Sequence, residues 1–229
     1  PFEMPAGPVD VVVGAEYRSQ SLTLTSNADP SLLDTAAERT AYFGTVRGVP
    51  AGTLFYWLTN VGTANGKLNV KEIFGEVAVP LLRDQSFFQD LTVNGAVRLT
   101  DYSVSGSVTT WKVGATWRMS DDFMLRGVYS RDIRAPNLYE LFAGDSSTIS
   151  IINDPACLAA TPGNAACSGN VAQLRGGNPT LRPETAKTLS IGGVLTPGFM
   201  PGFSLSIDYY RIRLSGAING LTAQQAVNN

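Results

Sequence analysis

Charged side chains gather in two short segments, Arg131–Glu140 and Arg182–Glu184, where opposite charges stand close enough in the sequence to form ion pairs. Guanidinium groups bind carboxylates and phosphates through paired hydrogen bonds. These side chains can therefore form ion pairs that clamp the two ends of one long connection, and this is the interpretation that we favour. The candidates for this structural motif at the loop base are Arg131, Asp132, Pro136, Glu140, Asn178, Pro179, Pro183 and Glu184. In the alternative, some side chains contact a ligand, and the candidates are Arg134, Asn137, Tyr139 and Arg182.

Prolines mark both ends of this connection. Pro136 has no N–H to donate to a strand ladder, and it biases Ala135 away from helix. A strand is therefore expected to leave its sheet there. Pro179 and Pro183 stand where the chain returns.

The two cysteines, Cys157 and Cys167, lie inside the same connection. They cannot form a four-thiolate metal site, although nearby Asp154 leaves a mixed site open. We favour a loop disulfide, which would place the segment in an oxidising compartment. Closing a loop of this size contributes about 2 to 3 kcal/mol in the chain-entropy model.

The composition disfavours several classes of function. Histidine is absent, which removes the commonest general base and metal ligand. The sequence shows no nucleophile elbow and no paired-carboxylate motif, so we expect neither an enzyme nor a cofactor. The net charge of −2 and the pI near 5.2 argue against nucleic acid as a partner.

Strict alternation of apolar and polar residues predicts seven β-strands that could hold these side chains. Each is expected to run for about nine to eleven residues, a length that suits a tilted crossing of a bilayer. The alternating segments are Val9–Arg18, Glu72–Val79, Leu91–Leu99, Thr110–Met119, Phe123–Arg131, Thr188–Thr196 and Phe203–Tyr209.

The lengths of the connections predict an antiparallel up-and-down meander. Short and long connections alternate along the chain, with the long ones at Ser19–Asn69 and Ala135–Thr185 and a modest member of the long set at Tyr102–Val108. Tight turns at one end and elaborate loops at the other are typical of outer-membrane barrels. Two helices are expected within connections, one after Ser31 over Leu32–Arg39 and one starting at Thr222.

Periodicity alone leaves the environment of the apolar face open, because a soluble β-sandwich shows the same alternation. Aromatic residues near the strand ends fit a membrane girdle, but strands are generally rich in aromatic residues. If lipid covers the apolar face, Val97→Arg should destabilise the protein by roughly 2 to 4 kcal/mol. Truncation of Arg98 to Ala, on the other face, should be mild.

Several motifs resemble those of TonB-dependent outer-membrane receptors. The most specific are YSRDIRAPNLYELF at Tyr129–Phe142 and GNPTLRPE at Gly177–Glu184. The resemblance extends through VKEIFGEVAVPLL, VTTWKVGATWR and FSLSIDYYRI. It implies an all-β chain forming part of a 22-stranded transmembrane β-barrel whose lumen holds an N-terminal plug. Residues 1–229 are then expected to be one partial barrel domain without plug or closure.

The resemblance also implies a function. It identifies the chain as a segment of an active-transport receptor in the outer membrane of a Gram-negative bacterium. Surface loops would bind a scarce nutrient, such as an iron-siderophore chelate, cobalamin or an oligosaccharide, and TonB-derived energy would drive import. The implied partners are outer-membrane lipid, the nutrient, and the TonB complex acting through the absent plug. The alternative function is a soluble β-sandwich module that binds a ligand.

Overall fold

The computed structural model describes residues 2–25, 59–60, 63–144 and 146–228. The helix expected over Leu32–Arg39 lies outside these residues. The chain divides into two compact units. The first, the sheet unit, consists of Pro1–Ser19, Leu68–Pro136 and Arg182–Ala217, and the second, the loop unit, consists of Gln20–Lys67, Asn137–Leu181 and Ile218–Asn229.

An antiparallel sheet of seven strands dominates the fold. Its strands are β3 (Asp10–Leu24), β5 (Ala64–Gln85), β6 (Phe88–Tyr102), β7 (Gly106–Arg118), β8 (Phe123–Arg134), β11 (Glu184–Leu195) and β12 (Leu205–Ser215). Their spatial order is β12-β11-β8-β7-β6-β5-β3. Strands of this sheet that follow one another along the chain are neighbours, because the strands within the two long connections belong to a different sheet. The predicted meander is therefore confirmed.

The strands are longer than the alternation predicted. They span 11 to 22 residues, with β5 the longest at 22 and β12 the shortest at 11. An apolar pattern marks only the part of a strand whose apolar side must be covered. Ladder hydrogen bonds continue into polar sequence, because the backbone groups pair whatever the side chains are.

The register separates the side chains into two faces. Cross-strand partners such as Val97↔Trp111 and Trp111↔Arg131 are both odd-numbered, and this parity holds from β5 to β12 except beyond the bulge between Pro80 and Leu82. On β3, the even-numbered Arg18 meets the even-numbered Glu72 on β5, which places β3 in the same scheme. We call the odd-numbered side the apolar face and the even-numbered side the polar face. Large side chains on the apolar face are exposed, for example Val13 at 79% and Ile207 at 68%.

In its described residues, the loop unit contains a second, smaller sheet, three short α-helices and a 3-10 helix at Ala165–Cys167. The sheet joins β4 (Thr59–Asn60), β9 (Ser146–Asn153) and β10 (Ser168–Arg175) in the order β10-β9-β4. The helices are α1 (Leu138–Phe142), α2 (Pro155–Ala160) and α3 (Ala223–Asn228). A minor hairpin, β1 (Glu3–Met4) with β2 (Gly7–Pro8), belongs to the sheet unit. In the described ranges, no helix has the length and apolar character to span a membrane.

Helix α3 is the one predicted from Thr222. The backbone N–H of Gln225 donates to Thr222 Oγ1 at 3.2 Å, and Gln225 Oε1 accepts from the Thr222 N–H at 3.0 Å. The helix is bound to β9 by Gln224. Its side chain accepts from the Asn153 N–H at 2.7 Å and donates to the Asn153 carbonyl at 2.9 Å.

Candidate functional site

An ion pair joins the last residue of β8 to the first residue of β11. Arg134 and Glu184 are register partners, and the guanidinium donates through Nε at 2.9 Å and Nη2 at 2.8 Å to the two carboxylate oxygens. Glu184 is 7% exposed, whereas the Arg134 side chain is 45% exposed. This bidentate geometry is the strong form of an Arg–carboxylate pair. It holds together the two ends of the connection.

Asp132 lies next to Arg134 on the polar face of β8, and it makes a second connection to β11. Its carboxylate accepts from Ser130 Oγ at 2.7 Å and from Thr188 Oγ1 at 3.1 Å, which ties β8 to β11. Arg131 does not join this group. Its odd number places it on the apolar face, where Trp111 and Lys187 are its register partners. The expected grouping of Arg131 with Asp132 is therefore wrong, because neighbours along a strand point to opposite faces.

Within the loop unit, a helix begins directly after Pro136, where the sequence predicted only the exit of a strand. Asn137 caps α1: its Oδ1 accepts from the Glu140 N–H at 2.8 Å, and Glu140 Oε2 accepts from the Asn137 N–H at 2.8 Å. This reciprocal capping box satisfies two N–H groups at the start of the helix. The signal in the sequence was an Asn followed three residues later by a Glu.

The returning chain is fixed to α1. The Asn178 N–H donates to the Glu140 carbonyl at 2.8 Å, and the Gly177 N–H donates to the Ala143 carbonyl at 2.7 Å. A Cβ on Gly177 would lie 2.6 Å from the Ala143 nitrogen, so only glycine fits there. Asn178 Oδ1 accepts from the Thr180 backbone and hydroxyl, which closes the turn that contains Pro179.

The remaining candidates are at the surface. Tyr139, on α1, is 44% exposed. Arg182 is exposed in the sheet unit, and Pro183 directly precedes β11. The Arg182 guanidinium reaches the tight turn between β6 and β7, with Nη1 3.9 Å from the position of a Cβ on Gly106. That glycine has φ +80°, a conformation that glycine adopts readily.

The polar face also holds a buried carboxylate, Glu72, whose burial no motif in the sequence marks. The Glu72 side chain is 4% exposed, and its two oxygens accept from Arg18 Nη2 at 2.9 Å and Arg98 Nη1 at 3.0 Å. The Arg98 guanidinium also lies over the ring of Phe74, 4.9 Å from its centre. Arg98 thus belongs to a network across β3, β5 and β6, and we no longer expect its truncation to be mild. Alternation placed Glu72 on the polar face but could not identify its partners.

The two cysteines are joined in the predicted disulfide, Cys157–Cys167, with Cα atoms 5.4 Å apart. Their thiolates are therefore not metal ligands, and the mixed site is not formed. Asp154 instead caps α2, and its Oδ1 accepts from the Ala156 and Cys157 N–H groups. Among the described residues, no group of three His, Cys, Asp or Glu side chains could hold a metal ion.

Comparison with known proteins fits this architecture. The family "TonB dependent receptor-like, beta-barrel" matches residues 5–229. The chain belongs to the TonB-dependent receptor family. This membership confirms the resemblance carried by the motifs after Tyr129 and Gly177.

Solved receptors of this family share the fold. One is the siderophore receptor PirA from Acinetobacter baumannii, with 19% identity and a TM-score of 0.56, covering 93% of this chain and 25% of that one. A double mutant of the ferric enterobactin receptor PfeA from Pseudomonas aeruginosa has 16% identity, a TM-score of 0.57 and the same coverage. A PfeA mutant in complex with enterobactin has 16% identity, a TM-score of 0.56 and the same coverage. The chain thus spans about a quarter of these receptors, and its meander is in line with a 22-stranded barrel.

Proposed function

We propose that this chain forms a wall segment and surface loops of an outer-membrane receptor for active transport. The receptor binds a scarce nutrient, with an iron-siderophore chelate first among the candidates, and TonB-derived energy drives import. Cobalamin and oligosaccharides are the other nutrients to be tested. The related receptors named for siderophores and for ferric enterobactin support this order.

The separation of the two faces is the observation that carries the proposal. Val13, Val97 and Ile207 on the apolar face are 48 to 79% exposed, and a bilayer would cover them. The polar face carries the network around Glu72, which suits a barrel interior that is solvated or filled by protein. In a membrane β-barrel, strands alternate in this way between lipid and lumen.

The loop base supports a division of roles among the candidate residues. Arg134 is engaged by Glu184, and Asn137 caps α1, so their proposed role is to hold the connection in place. Tyr139 and Arg182 are exposed as well, and they remain the candidates for contact with the nutrient. Such contacts require side chains that reach solvent at the loop end of the strands.

A soluble sandwich fits less well. A sandwich needs a second sheet packed about 10 Å from the apolar face. Within the described residues of the sheet unit, the seven strands form a single layer. The membership of the family also favours the membrane assignment.

Growth under nutrient limitation tests the proposal. The intact parent polypeptide is produced in a Gram-negative strain lacking its own siderophore receptors, with iron supplied only as a ferric siderophore. We expect growth that is lost when the strain also lacks TonB. Growth on cobalamin or an oligosaccharide, in strains lacking those receptors, would assign a different nutrient. TonB-independent growth, or growth on none of these, would contradict the proposal.

A pair of variants tests the division of roles. Arg182→Ala should weaken binding of the nutrient while leaving the folded receptor at wild-type abundance in the outer membrane. Arg134→Ala should lower that abundance, because it leaves the buried Glu184 carboxylate without its bidentate partner. If Arg134→Ala weakened binding at unchanged abundance, its assignment to the loop base would be wrong.

A further inference from the structure

Four basic residues form a patch on the apolar face of β8, β11 and β12. Arg131 and Lys187 are register partners, as are Lys187 and Arg213, so the three cations stand in one row across the strands. Arg211 lies two residues from Arg213 on the same face. Lys187, Arg211 and Arg213 are exposed, and Arg131 is half-buried. We call these four residues the basic patch.

The patch has no acidic partner among the described residues. The acids of the same strands all lie on the polar face, where Asp132, Glu184 and Asp208 are engaged by other side chains. Asp208, for example, pairs with Arg126 at 2.6 Å. Like charges directly opposite each other destabilise a sheet. An anion from outside the described chain would relieve this repulsion.

The position of the patch along the strands fits the level of lipid headgroups. On β8, the apolar face runs from Phe123 at the short-turn end through Leu125 and Tyr129 before it reaches Arg131. Eight residues at about 3.3 Å each, tilted by roughly 40°, rise about 20 Å. The apolar band of an outer-membrane barrel is about 25 Å tall. Arg131 therefore lies within roughly 5 Å of the upper edge of that band, close enough for its long side chain to reach the headgroups on the side of the long connections.

Aromatic side chains mark the same level. Trp111 is the register partner of Arg131 and makes an edge contact with Tyr129, with ring centres 5.4 Å apart. Tyr209, two residues before Arg211, is 61% exposed. Tryptophan and tyrosine gather at the interface between hydrocarbon and headgroups. Exposed cations beside such a belt face the lipid headgroups rather than the hydrocarbon.

We propose that the basic patch binds the phosphate groups of a phosphorylated glycolipid in the outer leaflet of the membrane. Guanidinium and ammonium groups donate charge-assisted hydrogen bonds to phosphate oxygens, and three arginines allow bidentate contacts. The acyl chains of the same lipid would cover the apolar positions below, such as Leu189 and Ile191. This inference goes beyond nutrient transport, but it rests on the proposed membrane location.

Lipid retention by the intact receptor tests the assignment. Wild type and the Arg131→Gln/Lys187→Gln double variant are reconstituted in phosphatidylcholine vesicles that contain either lipid A with its phosphates or dephosphorylated lipid A. They are then extracted with mild detergent, and native mass spectrometry counts the bound lipid. The matched control is Lys112→Gln/Arg118→Gln, which removes two cations from the polar face of β7.

Wild type and the control should retain phosphorylated lipid A, and the patch variant should bind it roughly 10- to 30-fold more weakly. The dephosphorylated lipid should be retained weakly by all three proteins. Equal retention of the phosphorylated lipid by wild type and the patch variant would overturn the proposal, as would equal retention of both lipids by wild type. Nutrient import is measured in parallel, because import by a variant that has lost the lipid separates this inference from the transport function.

Discussion

Placing the same charge on adjacent residues of β6 tests whether lipid covers the apolar face. The positions are Val97, which is 48% exposed on that face, and Ala96 on the polar face. Ala96 has Glu76 and Lys112 as its register partners, so an arginine there meets one charge of each sign. The apolar positions of β6 run from Leu91 to Leu99, which places Val97 one alternation from their centre.

The expected loss of stability for Val97→Arg depends on how far Val97 lies from the midplane of the bilayer. Two residues along a strand tilted by about 40° displace Val97 by roughly 5 Å from the midplane. Arginine on the lipid face costs about 2 to 4 kcal/mol at the midplane and about 0 to 1 kcal/mol near the interfaces. We therefore expect Val97→Arg to lower the free energy of unfolding by about 2 to 3 kcal/mol. The change for Ala96→Arg should stay below about 1 kcal/mol, as for other solvated sites.

The measurement is urea unfolding of the intact receptor in phosphatidylcholine vesicles. Tryptophan fluorescence follows the transition, and the shift of the folded band in gels without boiling confirms that each variant folds. A large loss for Val97→Arg alone would support a lipid-covered apolar face. Equal losses for the two variants, or a larger loss for Ala96→Arg, would refute the assignment of the faces.

Three further predictions concern the polar face, the loop base and the disulfide. Glu72→Gln should destabilise the receptor by about 1.5 to 3 kcal/mol in urea unfolding, because the buried acceptor loses its charge beside two arginines; a similar loss for the exposed Glu76→Gln would contradict this. Gly177→Ala should increase proteolysis of the long connection, since its Cβ would meet backbone atoms; an unchanged cleavage pattern would refute the close approach. Mass maps before and after reduction should differ at Cys157 and Cys167, and two free thiols in oxidised material would exclude the disulfide.

The strands could be predicted because a two-sided environment requires alternation. Lipid or core on one side and water or protein on the other impose a period of two on the sequence. The same rule predicts that the neighbours Arg131 and Asp132 lie on opposite faces, even though both stand near the loop. The ends of the strands could not be predicted, because backbone pairing extends beyond the apolar pattern, as in β5.

The sequence allows some contacts of the candidate site to be predicted and not others. The Arg134–Glu184 pair could be predicted, because the two ends of one connection must meet when the strands on either side of it pair. The partners of Glu72 could not be predicted from the sequence, because Arg18 is 54 residues away and is separated from Glu72 by a long connection. No local pattern fixes the register of β3 against β5 across such a distance.

The bond between α3 and β9 links the segment that follows β12 to the hairpin that carries the disulfide. Because Gln224 uses both its amide oxygen and its amide nitrogen on one backbone unit, Asn153 cannot shift without breaking both hydrogen bonds or moving the helix with it. A second tie, from Gln173 on β10 to the Leu221 carbonyl at 3.0 Å, reinforces this union. A nutrient or antibody that displaced the β9–β10 hairpin would therefore also displace residues 221–228. Antibody epitopes in these two separate stretches of sequence would then change together.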